Sequence, residues 1–188
     1  LKLPLWLNGE VAIFIDRDGT LNVEKNYLHL WQDWEWIPGA VEAIKRFNAA
    51  GYLVIVTSNQ AGVARGLYSE ADIDALHRQV DADLQRQGGQ IDAYYYCPHH
   101  PEHGAVRDCD CRKPEPGMLL QAAREHEVDL ASSYMIGDKV SDVEAGLNAG
   151  VIPILVETGY GAGERNELPP NVLVVSDIAA ACGWILEL

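Results

Sequence analysis

Residues 11–20, Val-Ala-Ile-Phe-Ile-Asp-Arg-Asp-Gly-Thr, constrain this chain more than any other stretch. Five apolar residues run straight into two carboxylates one residue apart, and then into Gly-Thr. A short continuous apolar run closed by turn residues reads as a fully buried strand. Residues two apart on an extended chain point to the same side, so Asp16 and Asp18 are expected to face one space at the strand's end. Ligands of open α/β sheets bind off the carboxyl ends of the strands. Carboxylates this close repel unless a cation or a shared proton offsets them. The natural partner is a hard divalent ion with oxygen ligands, Mg²⁺ above all. An Asp-Gly hairpin is the competing local reading, but Leu-Asn-Val-Glu-Lys-Asn makes a poor return strand. A calcium loop counted from Asp16 wants an acid and then Gly where this chain has Thr20 and Leu21.

Strands and helices alternate along the rest of the chain. Spacing, caps and breakers predict helices over 39–50, 69–86, 116–126 and 140–149, the second opened by a Ser69–Asp72 capping box. Further strands are expected over 52–56, 91–96, 133–136, 152–156 and 172–175. Such alternation implies a parallel sheet with right-handed crossovers. Residues 22–37 form a long loop carrying Tyr27, His29, Trp31, Trp34 and Trp36. A loop of that length either serves the site or caps the sheet edge with its aromatics.

At 188 residues, 48% hydrophobic and 22% charged, the chain suits one soluble domain spanning 1–188. Its formal net charge of −14 disfavours nucleic acid or an anionic membrane surface as partner. Any phosphate binding must then come from a few local cations. No stretch approaches the roughly 20 apolar residues of a membrane span. Leu1–Leu7 is apolar but lacks a basic leader and a cleavage site. A cytoplasmic protein acting as a monomer is expected.

Three strands end in chemistry: the first in Asp16 and Asp18, the second in Ser58, the fourth in Asp138. Arg112-Lys113-Pro114 falls between them and opens a helical unit. In a parallel sheet these ends share one edge, so residues distant in sequence can meet there. The ordered set Asp-x-Asp-Gly-Thr, strand-end Ser, Lys-Pro and Gly-Asp-x-x-x-Asp resembles the haloacid-dehalogenase-type phosphohydrolases over residues 11 to about 157. The resemblance implies a three-layer Rossmann-like α/β fold with helices on both faces of the sheet. It also implies that Asp16 is the nucleophile and Asp18 the general acid and base. Ser58 and Lys113 would hold the phosphoryl oxygens. Asp16, the Asp18 backbone carbonyl and Asp138 would hold Mg²⁺. Asp142, four residues past Asp138, is expected behind the site rather than in it.

Cys97, His99, Cys109 and Cys111 supply three sulfurs and one imidazole, the donor set of a closed tetrahedral zinc site in a loop over about 97–113. His100 and His103 are alternative ligands, and a Cys109–Cys111 disulfide would be strained by their closeness. Cys182, alone in an apolar stretch, reads as a buried spectator. Four protein ligands leave no open position, so the zinc is expected to stiffen the loop that delivers Arg112 and Lys113. This loop narrows the resemblance to the small phosphatases without a separate cap domain that act on heptose 1,7-bisphosphate and on histidinol phosphate. Gly-Val-Ala-Arg-Gly at 62–66, Cys-Pro-His-His-Pro at 97–101 and Asp-Cys-Arg-Lys-Pro at 110–114 resemble the heptose group. A sugar bisphosphate losing its 7-phosphate is the implied substrate, and histidinol phosphate the alternative. The resemblance places sugar contacts at Glu24 to Tyr27, Asn59 and Gln60. Arg65, Arg112 and Lys139 sit on loops expected to rim the same edge and receive a second phosphate.

Overall fold

Strand β1, Ala12–Ile15, is buried along its whole length and divides its side chains between two cores. Ile13 and Ile15 enter one, Ala12 and Phe14 the other. That division is why the run is continuously apolar: a parallel strand covered on both faces has no solvent side. The computed structural model describes residues 9–187, and Leu1–Leu7 lie outside the described residues.

In chain order β1 is followed by α1 (Ala40–Ala49), β2 (Leu53–Asn59), α2 (Glu70–Arg86), β3 (Ala93–Cys97) and α3 (Gly117–His126). Then come β4 (Tyr134–Gly137), α4 (Val140–Ala149), β5 (Ile152–Val156), α5 (Gly161–Glu164), β6 (Leu173–Val175) and α6 (Ile178–Leu186). All pairings are parallel, in the order β3-β2-β1-β4-β5-β6. Helices α1, α2 and α6 cover one face through Ile44, Phe47, Leu76, Val80, Leu84, Ile178 and Ile185. Helices α3 and α4 cover the other through Met118, Leu119, Ala122 and Ala145. The result is the expected three-layer α/β architecture. Among the described residues, loops rather than a second domain occupy the two long connections after β1 and β3. No described helix is long and apolar enough to cross a membrane.

Besides the short α5, which was not expected, and shifts of one or two residues at other ends, two elements differ from the sequence reading. β2 runs to Asn59 rather than Val56, because β3 continues beside it and pairs Thr57, Ser58 and Asn59 with Tyr95, Tyr96 and Cys97. Helix α6 was hidden by its uniformly apolar composition, which shows no stripe of period 3.6. Its visible signal is Asp177, whose carboxylate accepts from Ala180 N at 2.8 Å as an N-cap. Cys182 is buried within α6, its thiol facing Ala43 O at 3.7 Å. In the long loop, Trp31, Trp34 and Trp36 pack on the first core, and Trp36 Nε1 donates to Asp83 at 2.9 Å. These aromatics cap the sheet, whereas Tyr27 turns towards the pocket.

Candidate active site

The sheet changes its direction of winding between β1 and β4, and the crevice beyond such a switch point is where α/β sheets take ligands. Asp16 leaves β1 there, its N–H donating to Ile136 O on β4 at 2.9 Å. Asp138 follows β4 directly, and Asp142 lies on the first turn of α4. One carboxylate oxygen from each of the three falls within 4.8 Å of the others, and all three residues are buried. Asp138 Oδ2 accepts from Tyr160 N at 2.8 Å, while its buried Oδ1 has no partner. Gly19 closes over this group with φ +90°, and a Cβ there would stand 2.2 Å from Asp138 Oδ2. Only glycine fits that approach.

Burial, then repulsion from Asp142, raises the Asp16 carboxyl to about 6 against the pull of Lys113. Burial, then Asp16 and Asp142, raises Asp138 to about 8. Three buried carboxylates crowded together, one with an orphaned oxygen, are the donor set of a hard divalent cation. The sequence reading put Asp142 behind the site. In the structure one turn of α4 after Asp138 brings its carboxylate to 2.6 Å from Lys113 Nζ, in the same group as Asp16.

Lys113 carries the buried cation of the site. Its ammonium donates to Asp16 Oδ1 and to Thr57 O, both at 2.7 Å. Burial opposes that charge, but Asp142 and Asp16 outweigh it and raise the pKa above the ordinary lysine value. Asn59 clamps the Lys113 backbone at two points: Nδ2 donates to its carbonyl and Oδ1 accepts from its N–H, both at 3.0 Å. Thr57 turns into the core towards Met135, so strand alternation leaves Ser58 lining the pocket.

Asp18 is held by donors on several sides. Arg17 Nε donates to Oδ2 at 3.1 Å and Nη2 lies 2.9 Å from the same oxygen, Asn22 Nδ2 reaches Oδ1 at 3.0 Å, and Gln60 Nε2 reaches Oδ2 at 3.1 Å. Burial works against the charge, yet Arg17 and these hydrogen bonds outweigh it and lower the Asp18 pKa. Arg17 itself is buried, with Nη2 also donating to Leu28 O at 2.7 Å. Asp18 is absent from the three-carboxylate group, so only its backbone is left for the metal role expected of it.

Glu24, Tyr27, Arg112 and Lys139 line the pocket with Ser58, Asn59 and Gln60. Arg112 Nη1 donates to His99 O at 3.1 Å, and Lys139 Nζ stands 4.7 Å from the Tyr160 ring centroid. Arg65 lies outside that lining. It is exposed, 5.9 Å from the Tyr27 ring and 3.3 Å from His100 Nε2. Asn26 and Tyr27 both adopt positive φ, of 50° and 56°, which turns Tyr27 to the pocket mouth.

Cys97, His99, Cys109 and Cys111 converge at the start of the Arg112-Lys113 segment. Cys111 Sγ lies 2.7 Å from Cys97 Sγ, 3.4 Å from Cys109 Sγ and 3.4 Å from His99 Nδ1. His100 and His103 fall in a separate group with Glu102. All four cysteines are free thiols. Three sulfurs and a nitrogen converging so closely fit a tetrahedral transition-metal site.

Fold and site together define a phosphatase of the haloacid-dehalogenase type. A family model described as HAD-hydrolase-like matches residues 110–181. The D-glycero-beta-D-manno-heptose-1,7-bisphosphate 7-phosphatase of Pasteurella multocida (strain Pm70) is 44% identical over 168 residues, 88% of this chain and 91% of that protein. Its Escherichia coli (strain K12) counterpart is 44% identical over 153 residues, 79% of this chain and 80% of that one. The solved D,D-heptose 1,7-bisphosphate phosphatase from B. bronchiseptica, complexed with magnesium and phosphate, superposes with a TM-score of 0.86 at 37% identity, covering 94% of this chain and 98% of that one. The chain belongs to the family of these heptose-bisphosphate phosphatases, among the HAD-like hydrolases.

Proposed function

We propose that this protein removes the 7-phosphate from D-glycero-β-D-manno-heptose 1,7-bisphosphate, leaving the 1-phosphate. The observation that carries the proposal is the switch-point group: Asp16 beside Asp138, Asp142 and the buried Lys113 ammonium, in a chain 44% identical to phosphatases named for that substrate. Asp18 takes up a proton as the polyanionic substrate binds beside it; Asp16 then attacks phosphorus, and the P–O bond to the sugar C7 oxygen breaks as Asp18 gives that oxygen the proton. The product is an aspartyl-phosphate. Asp18, now a carboxylate beside Arg17, takes a proton from water as the water attacks phosphorus and the bond to Asp16 breaks. Ser58 and Lys113 donate to the phosphoryl oxygens throughout. Asp16, Asp138 and the Asp18 carbonyl, joined by Asp142, would hold Mg²⁺, which supplies the charge that lets an anionic nucleophile meet a polyanionic ester.

Cys97, His99, Cys109 and Cys111 would hold Zn²⁺ as a structural ion, fixing the loop that carries Arg112 and Lys113. Arg112 and Lys139 at the pocket wall suit the second phosphate, and the cationic side chain of histidinol phosphate would find them repulsive. Glu24 and Tyr27 are left to contact the sugar. The proposal includes action on a small molecule as a cytoplasmic monomer, and the net charge of −14 disfavours nucleic acid and anionic membranes as partners. The test is kcat/KM for the β-heptose 1,7-bisphosphate against histidinol phosphate, with ³¹P NMR of the product. Preference for the bisphosphate with loss of the 7-phosphate is expected. Preference for histidinol phosphate, or loss of the 1-phosphate, would overturn it.

A further inference from the structure

Gln60 was expected to touch the sugar, but its amide is spent inside the protein. The residue is 2% exposed. Its Nε2 donates to Ser58 Oγ at 2.7 Å and to Asp18 Oδ2 at 3.1 Å, and its Oε1 accepts from Tyr68 OH at 2.7 Å. In the substrate-free protein Arg17 and Asn22 both donate to Asp18, so its carboxylate accepts and the end of the amide facing it is the nitrogen. The oxygen then faces Tyr68, whose hydroxyl must donate. Tyr68 is itself buried and stacked on His29, with ring centroids 4.7 Å apart, so this polarity is held from behind.

We infer that Gln60 is a positioning residue that sets two reacting groups at once: it fixes the Asp18 carboxylate for proton transfer, and it orients the Ser58 hydroxyl towards the phosphoryl group. The second effect follows from hydrogen-bond inventory. A hydroxyl has one donor, and Ser58 Oγ already accepts from Gln60, so its own proton is turned away from the amide. The first follows from geometry. Asp18 Oδ2 meets Arg17 and Gln60 from two elements, β1's end and β2's end, and Gln60 alone ties that oxygen to the strand bearing Ser58. Tyr68 serves as the anchor that keeps the amide from turning over.

The inference rests on the roles proposed above for Asp16 and Asp18, and leaving-group dependence separates the two. A sugar phosphate expels an alkoxide that needs a proton, whereas p-nitrophenyl phosphate expels a phenolate that does not. Gln60→Leu should lower kcat/KM for the heptose bisphosphate by about tenfold or more beyond any common loss, a part of the roughly 10²–10⁴-fold that proton transfer supplies, because kcat/KM reports steps only up to the aspartyl-phosphate. With p-nitrophenyl phosphate kcat/KM should fall by much less, its loss coming through Ser58, whereas kcat falls for both esters wherever attack by water is slow. In an Asp18→Asn background, Gln60→Leu should cause no further selective loss. Gln60→Met, which keeps length and flexibility, carries the same expectations if the leucine variant does not fold. Equal losses of kcat/KM on both esters, or no loss, would overturn the inference. Asp16→Asn reports on the underlying reading alone: turnover of either ester by that variant would sink the proposed mechanism, whatever Gln60 does.

Discussion

Lys113 Nζ meets Asp16 Oδ1 at 2.7 Å across 97 residues of sequence, and both side chains are almost wholly buried. The same ammonium meets Asp142 at 2.6 Å, so one cation is shared between two carboxylates. Removing one member of a buried ionic group leaves the others uncompensated, at a cost of about 3–5 kcal/mol. Lys113→Met should therefore destabilise the Mg²⁺-free protein by roughly that amount in urea unfolding, and Mg²⁺ should recover a part of it. A stability within about 0.5 kcal/mol of the parent would show that the ion pair is not what holds these acids together.

Cys111, the last of the four proposed zinc ligands, directly precedes Arg112. Metal analysis of protein purified without chelator should find one zinc per chain, retained when Mg²⁺ is removed. Cys109→Ser should abolish that zinc, lower the melting temperature and reduce activity together, because Lys113 reaches Asp16 from the same segment. Full activity in zinc-free protein would exclude the structural role.

Magnesium and protons should compete for the switch-point acids. Asp16 and Asp138 are raised to about 6 and about 8, above the ordinary 3.8. In Mg²⁺-free protein the native state therefore binds more protons than the unfolded one, and this group's contribution to stability falls as pH rises towards 8. The two titrate as one coupled set. Below about pH 6.5, His77, held neutral by burial, acts in the opposite sense. The clean reading is thus a difference: the gap in melting temperature between Mg²⁺-saturated and Mg²⁺-free protein, both zinc-loaded, should widen from pH 6.5 to 8.5. A gap independent of pH would contradict it.

Much of this was legible in the chain. Buried parallel strands write themselves as unbroken apolar runs, and Asp16, Asp18 and Asp138 follow those runs directly, so their place at one sheet edge could be read from sequence. What was not legible depends on tertiary commitments. Nothing in Asn59-Gln60 reveals that one amide clamps the Lys113 backbone and the other is divided between Asp18, Ser58 and Tyr68. Arg17 sits between two acids like a solvated charge, yet it is buried against Asp18 and the Leu28 carbonyl. Asp142 carried a usable signal, the four-residue spacing from Asp138 that returns a helical side chain near the preceding strand end.

Arg112 and Arg65, equal candidates by sequence, differ in place. Arg112 lines the pocket, and Arg65 lies outside its lining on the solvent side. Arg112→Ala should weaken the bisphosphate by about 10–100-fold, the worth of a charged hydrogen bond, with a smaller effect on a sugar monophosphate. Arg65→Ala, an exposed pair at most, should cost no more than about fivefold. KM values for the two substrates check both, and the reverse ranking would move the second phosphate outwards past Tyr27.

The central claim is that phosphorus passes through Asp16. Each in-line displacement at phosphorus inverts its configuration, so two successive displacements restore it. The most direct test is the stereochemical course of hydrolysis of a sugar phosphorothioate made chiral with oxygen isotopes, run in isotopically labelled water. Net retention at phosphorus is the predicted result. Net inversion would mean that water attacks the substrate directly, and would contradict the aspartyl-phosphate.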